Sequence, residues 1–425
     1  MTAGATSLVA TSLVATSLVA TSLGAIPLAS TPLPAPAIQW WAVALVLIPV
    51  VFVAYAYAVY PLLLAVLARA RPPRPAPAEP AEWPLISITV PAYNEERAIG
   101  ATIENLLAAD YPADRRQILV VSDGSTDGTD AVVAGYAGRG VELLRLPVRR
   151  GKTAAENAAA AAVRAEIIIN TDASVRILPD AIKPLVRAFG DPTVGVASGR
   201  DVSVGDVAAE GNRGESGYVG YEMAVRDLET RMGSIIGASG CYYGFRRAVY
   251  APDFPEALSR DFASVLIARE RGFRSVSVTA ARCVVPRTVS LRAEFRRKIR
   301  TMARGLATLS YKRALLDGRH YGVFAFMLFS HKLCRWLVYL AVPPALVGLA
   351  VLALTQWVAA ALLAATVLAG AVGVVALRAG EGRTLPRPVA LCGYLVGSIA
   401  AGVMAWVTFF RRQRLPMWEP TRRPG

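Results

Sequence analysis

The sequence predicts an α/β protein with a doubly wound, mostly parallel sheet, set between transmembrane and interfacial amphipathic α-helices. Two observations point there. Of the 425 residues 54% are hydrophobic, yet no charged residue precedes Arg69 and few follow Arg335, so charge marks the middle as the soluble part. Within that middle, short apolar runs alternate with stretches of helical spacing, the pattern of strand–helix–strand units. Roughly 240 residues there are enough to bury one sizeable core.

The elements follow in order. Residues 1–38 hold four copies of a five-residue unit, ATSLV (the last ending in Gly), over 5–24, then a Pro-rich stretch. Such low complexity is expected to be disordered. Residues 39–68 are a continuous apolar run headed by Trp40 and Trp41, long enough to span a bilayer. Arg69, Arg71 and Arg74 close it and place its C-terminal end in the cytosol. Residues 69–84 read as a Pro/Ala linker, and 85–290 as the cytosolic domain. Its strands are expected at Ile86–Val90, Ile118–Val121, Val141–Leu146 and Glu166–Asn170. Its helices are expected at Ala98–Ala109, at Asp127–Tyr136 and from about Thr153.

Residues 291–334 read as interfacial amphipathic helices. Phe295, Ile299, Met302 and Leu306 share one side, and Arg296, Arg297, Arg300 and Arg304 occupy the rest, facing lipid headgroups apart from Arg300. Spans are expected over 335–354, 357–377 and 389–410, before a basic tail at 411–425. This count contains a conflict. Three spans leaving a cytosolic domain put Arg411, Arg412 and Arg414 outside, against the positive-inside rule. Either 321–334 enters the membrane, or Pro343-Pro344 splits a span, or the tail breaks the rule.

The net charge of +15 gathers beside the membrane segments, which argues for a lipid bilayer and against nucleic acid as the partner. Cys241, Cys283, Cys334 and Cys392 have no CxxC spacing, so neither a zinc site nor a disulfide framework is expected. Glu222, Arg226 and Glu229 fall at helical spacing and read as an ion-pair network. His320 and His331 read as interfacial polar residues.

Three segments fall where strands end, the place where open α/β sheets bind ligands. They are Pro91-Ala92-Tyr93-Asn94-Glu95, Asp123-Gly124-Ser125 and Asn170-Thr171-Asp172-Ala173-Ser174. Between the last two, Gly151-Lys152 opens a helix whose backbone N–H groups and lysine suit a phosphate. Singly, Asp-Gly-Ser is a turn and Asp172 an N-cap.

In this order and spacing they resemble the family 2 glycosyltransferases, in particular the membrane-embedded group of cellulose, hyaluronan and poly-N-acetylglucosamine synthases. The resemblance covers residues 84–310 and extends into the membrane region, through His331-Lys332, Arg335-Trp336 and Trp418-Glu419-Pro420. It implies a glycosyltransferase A-type fold, a nucleotide-activated sugar (a UDP-sugar) as donor, and Mg²⁺ or Mn²⁺ as cofactor. Pro91, Ala92, Tyr93, Asn94, Glu95, Asp123, Gly124, Lys152 and Asp172 would bind the nucleotide. Asp172 and Ser174 would hold the metal. Ser239, Gly240 and Cys241 would line the acceptor path, Arg297 and Arg300 would meet diphosphate or acceptor, and Asp261 would be the catalytic base of an inverting transfer.

Three departures accompany the resemblance. Ser174 stands where the family has a second metal-binding acid. Arg260 precedes Asp261 where an acid is usual, adding positive charge beside the base. Thr301 stands where processive synthases have a tryptophan that caps the acceptor sugar. The expected function is therefore a multi-pass enzyme of the plasma (bacterial inner) membrane that builds or extends a cell-surface polysaccharide, with export proteins as possible partners. Transfer of one sugar to a lipid-linked or oligosaccharide acceptor is the alternative, and a non-catalytic scaffold a third.

Overall fold

The computed structural model describes residues 35–413 apart from 73, 76, 205–212, 252, 287–290 and 380–384. The ATSLV repeats, Arg414 and Trp418–Pro420 lie outside the described residues.

The chain opens with α1 (Ala35–Ala54) and α2 (Tyr60–Arg69), joined through a π-helical turn into one apolar helix from Trp40 to Arg69. The sheet domain then runs β1 (Ile86–Ala92), α3 (Glu96–Leu107), β2 (Arg116–Ser122), α4 (Thr129–Ala134), β3 (Val141–Arg145), α5 (Lys152–Ala159), β4 (Ile167–Thr171), β5 (Arg176–Ile177), α6 (Ile182–Arg187), β6 (Val194–Val204), α7 (Arg213–Met232), β7 (Tyr242–Arg246), α8 (Arg260–Glu270) and β8 (Arg274–Pro286). After it come α9 (Leu291–Tyr311), α10 (Gly318–Tyr321), α11 (Val323–Leu328), α12 (Arg335–Ala353), α13 (Trp357–Arg378) and α14 (Arg387–Phe410).

The eight strands form one sheet in the order β3-β2-β1-β4-β7-β6-β8-β5. β3, β2, β1 and β4 are parallel, and β7 is antiparallel to both β4 and β6. This is the expected sheet, widened by a mixed half. Alternation along the strands decides which face each side chain enters. Ile86, Ile88, Val90, Ile118 and Val120 pack toward α3, while Leu119, Val121, Ile168 and Phe245 pack toward α5 and α8. The second core does not stop at the domain edge. It takes in Tyr60, Leu64 and Ala68 of α2 and Phe324, Met327 and Leu328 of α11, so sheet and apolar helices share one apolar interior.

Among the described residues, four helices are long and apolar enough to cross a membrane: Trp40–Arg69, Val323–Ala353, Trp357–Arg378 and Arg387–Phe410. Two expectations change here. Residues 321–334 form no separate interfacial helix, because α11 continues through a π turn at Phe329–Cys334 into α12. Pro343 and Pro344 do not split the span; both lie inside α12. Neither feature adds a crossing.

Glu222, Arg226 and Glu229 form the expected ion-pair network, which extends beyond their own helix. Along that helix Arg226 to Glu222 is long at 3.9 Å. The stronger contacts of the two glutamates reach the apolar helices. Glu222 accepts from Arg335 Nη1 at 2.8 Å, Tyr60 donates to Glu229 at 2.8 Å, and His331 sits between the two carboxylates at 3.0 and 2.6 Å. His331 is thus fully buried, not interfacial. Tertiary packing brings these groups within reach, where a helical repeat offers only weak exposed pairs.

Candidate active site

The site lies where β1 and β4 part toward opposite sides of the sheet, at the carboxyl ends of the parallel strands. Three loops meet there. After β1, Pro91 and Ala92 are buried and Tyr93 is half-buried, with the Arg149 guanidinium 3.8 Å from its ring centroid. Asn94 takes a positive φ of 50°, and its Oδ1 accepts from Thr126 N at 2.8 Å. Glu95 starts α3 with its backbone: its carbonyl accepts from Ala98 N and Ile99 N, both at 2.8 Å.

After β2, buried Asp123 binds the third loop. Its two carboxylate oxygens accept from Arg150 N at 2.8 Å and Gly151 N at 2.7 Å. Gly124 makes this approach possible. Its φ is +67°, and a Cβ there would lie 2.8 Å from Arg149 N. Asp123 therefore organises the loop ahead of α5, and Gly151, with φ 104°, turns the chain so that Lys152 begins the helix.

Lys152 stands at the centre. Its ammonium donates to Asp172 just past β4 and, at 2.8 Å, to the Gly240 carbonyl. Asp172 N in turn donates to Cys241 O at 3.3 Å. Burial opposes charge on Lys152, but Asp172 and then Glu156 outweigh it and hold its pKa above the ordinary value. Burial pushes Asp172 up, against the pull of Lys152, and nearby Asp261 and Asp201 push the same way. Ser174 is half-buried two residues further on.

Asp261 lies in the first turn of α8, two residues after the N-cap Ser259, whose hydroxyl donates to its Oδ1 at 2.6 Å. Its other oxygen faces Gly240, where a Cβ would come within 3.0 Å. A glycine there leaves that oxygen approachable. Ser259 is itself fixed by α9, since its N–H donates to Thr308 Oγ1 at 2.9 Å. Arg304 holds the same loop by donating to the Leu258 and Glu256 carbonyls at 2.8 Å. Expected at the lipid surface, Arg304 is instead turned inward, because this loop offers carbonyls that need donors.

Other expected residues fall as follows. Ser239 is buried and committed to structure, accepting Cys241 N and donating to Asp201 at 2.6 Å. Burial, then Asp201 and Asp172, raise the Cys241 thiol pKa. Arg297 pairs with Glu294 at 2.8 Å and Arg300 is half-buried on the same helix. Arg260 directs its side chain into the protein interior. It is buried, donates to Asn157 Oδ1 and Ala251 O, and lies over the rings of Tyr250 and Phe254. Successive helix positions diverge by about 100°, so neighbours in sequence serve different faces. Tyr242 and Tyr243 are core residues with no exposure.

Sequence reasoning missed several groups. Asp201, Arg149 and Thr308 carry no local signal. Ser259 could have been found as an N-cap. Glu156 is buried beneath Lys152, accepting from Asn170 Nδ2 at 3.1 Å, and burial raises its pKa to about 6. No cluster of three or more metal-binding side chains occurs among the described residues. One carboxylate with a nearby hydroxyl still fits Mg²⁺ or Mn²⁺, hard ions that take remaining oxygens from diphosphate and water.

Comparison with known proteins gives one family. Residues 87–252 match the family described as Glycosyl transferase family 2. The beta-monoglucosyldiacylglycerol synthase of Synechocystis sp. is 31% identical over 149 residues, covering 34% of this chain and 30% of that one. The hyaluronan synthase of Streptococcus pyogenes is 27% identical over 218 residues, covering 48% and 51%. The chain thus spans about a third to a half of the length of these curated relatives. Among solved structures, a mannosyltransferase from Pyrobaculum calidifontis in complex with GDP-Man and Mn²⁺ superposes with a TM-score of 0.68 and 25% identity, covering 88% of this chain and 99% of that one.

Proposed function

From the glycosyl transferase family 2 domain that residues 87–252 form, we propose a membrane-bound, inverting enzyme that transfers a sugar from a nucleoside diphosphate donor. The observation that carries this reading is Lys152, held between Asp172 and the Gly240 carbonyl, with Asp261 on the other side of Gly240. A cation for a leaving diphosphate and a carboxylate for an incoming hydroxyl thus share one cleft.

The steps follow from the side chains. The Pro91–Glu95 and Asp123–Ser125 loops cradle the nucleotide. Lys152 offsets charge on the leaving diphosphate. Asp172, with Ser174, would hold the divalent ion, which adds further charge neutralisation. Asp261 Oδ2 takes the acceptor's proton as its hydroxyl attacks the anomeric carbon from the opposite face, inverting configuration. Ser259 orients that carboxylate. The apolar helices hold this domain at the cytosolic face of the plasma membrane.

UDP-sugars are the proposed donors. The whole-length likeness to a protein solved with GDP-Man makes GDP-sugars the second class to test. Likeness to hyaluronan synthase supports polysaccharide synthesis, while Thr301 and the likeness to a mannosyltransferase favour single transfer to a lipid-linked or oligosaccharide acceptor.

The test is nucleotide release from a panel of UDP- and GDP-sugars by membranes carrying the protein, with Mg²⁺, Mn²⁺ or a chelator. One donor should be consumed, and the chelator should stop it. Asp261→Asn should cut turnover at least about 10²-fold while leaving nucleotide affinity unchanged. No release from any donor would end the reading. Thr301→Trp tests chain length: longer products than wild type would tie this position to holding the growing acceptor.

A further inference from the structure

We propose that α14 does not cross the bilayer but lies in the plane of its catalytic-side face, leaving three crossing helices and bringing the C-terminal tail to the same side as the catalytic domain. The inference rests on reading the apolar helices as membrane elements, and it goes beyond the transferase reading. Length and hydropathy make α14 a span as good as the others. Its neighbours say otherwise.

First, α14 runs beside α9 in the same direction. Lys298 Nζ donates to Ser398 Oγ at 2.7 Å and lies 3.8 Å from the Tyr394 ring centroid. Further on, Met302, Ala303 and Leu306 form one cluster with Ala405 and Trp406. The helix α9 carries Arg296, Arg297, Lys298, Arg300 and Arg304, and Arg304 reaches into the sheet domain. A helix so charged cannot traverse hydrocarbon, so the stretch of α14 at its side stays at the same shallow level.

Second, the α12–α13 hairpin acts as a depth gauge. At one end of α14, Val396 packs on Gly373 and Gly397 on Leu377. Toward the other end, Gly402 packs on Tyr339 and Trp406 Nε1 donates to Trp336 O at 2.9 Å. At 1.5 Å per residue, these four positions stand about 21–30 Å from the Leu354–Gln356 turn, all near the domain end of the hairpin. Between Cys392 and Trp406 the helix advances about 21 Å along its own axis. It therefore travels across the hairpin, not along it.

Third, α14 buries 39% of its most apolar stretch inside the protein, against 6–17% for the other three candidates. What it leaves outside includes a strip of Leu391, Leu395 and Phe410, within about 100° of one another around the helix, ended by exposed Arg411 and Arg412; exposed Met404 lies on the other side. Apolar side chains with adjacent arginines fit the boundary between acyl chains and anionic headgroups. The occupant of that strip is the lipid surface itself. With three crossings Arg411 and Arg412 fall on the catalytic side, and the conflict with the positive-inside rule disappears. α14 then acts as the floor under α9, the helix whose Thr308 and Arg304 hold the loop before Asp261.

The test uses the full chain in liposomes, with native cysteines changed to alanine and spin labels at Leu391→Cys, Leu395→Cys and Phe410→Cys. All three should report one shallow band, about 5–10 Å into the boundary. Val358→Cys and Val375→Cys on α13 should differ in depth by about 25 Å. A steady gradient of about 28 Å from position 391 to 410 would overturn the proposal. A tag after residue 425 on the otherwise native chain gives a second readout. In sealed vesicles it should be protease-accessible from the same side as a catalytic-domain epitope, and accessibility from the opposite side would also overturn it. Neither readout uses turnover, so failure here and failure of the transferase reading are separate results.

Discussion

Glu156 shows how a single buried side chain bears on the site. It lies 3% exposed beneath Lys152, and burial lifts its pKa from 4.5 to about 6, against the pull of Lys152 and Arg260. A folded-state value above the unfolded one means that ionised Glu156 lowers stability above pH 6. That cost fades as the pH falls through 6 and is gone below about 4.5. Glu156→Gln should therefore be more stable than wild type at pH 7, by about 2 kcal/mol, with the difference closing between pH 6 and 4.5. Thermal melts in detergent across that range measure it. A variant less stable at pH 7 would mean that pairing with Lys152 and Arg260 outweighs the burial. Asp261 and Gly240, by contrast, were visible in the sequence, but their meeting was not, nor was the support of Asp261 by Ser259 and of Ser259 by Thr308.

At the level of elements, the turn between β2 and α4 decides how the loop ahead of α5 is held. Gly124 adopts a left-handed conformation against the backbone of Arg149. Gly124→Ala pays the left-handed penalty of roughly 1–2 kcal/mol and pushes the 148–151 loop away. Nucleotide affinity should fall severalfold by titration calorimetry, because Asp123 can no longer hold both Arg150 N and Gly151 N. Unchanged affinity would place the nucleotide elsewhere. β1 to β4 were legible element by element, since short apolar runs bounded by turn residues specify buried strands; β5 to β8 were not. The membrane-proximal helices were legible in part. The reading of 321–334 as a separate interfacial helix failed because a π turn lets α11 and α12 continue as one, and periodicity does not register such a turn.

For the whole molecule, the junction between the sheet domain and the apolar helices is polar at its centre. Burial would raise the Glu222 carboxyl, but His331 and Lys332, with Arg335, outweigh it and hold it well below the usual range. Its contribution is present above the unfolded value of 4.5 and is lost only as the pH falls through the depressed folded value. Glu222→Ala leaves Arg335 and Lys332 without their main counter-charge and should cost about 3–5 kcal/mol. The loss would appear as an early melting transition and separation of domain from membrane helices by limited proteolysis. Melting equal to wild type would show that the pairing contributes nothing to the junction.

The sequence by itself determined the α/β class, the positions of the parallel strands, the loops at their ends and the apolar helices. These depend on local periodicity and on short motifs, which a linear chain displays directly. Only the tertiary structure decided that Lys152 joins Asp172 to Gly240, that Arg260 and Arg304 serve packing, and that Glu222, Glu229 and His331 meet across the membrane junction. Those facts depend on which groups a fold brings within a few ångströms of each other. Nothing in the order of the residues encodes a distance between segments a hundred positions apart.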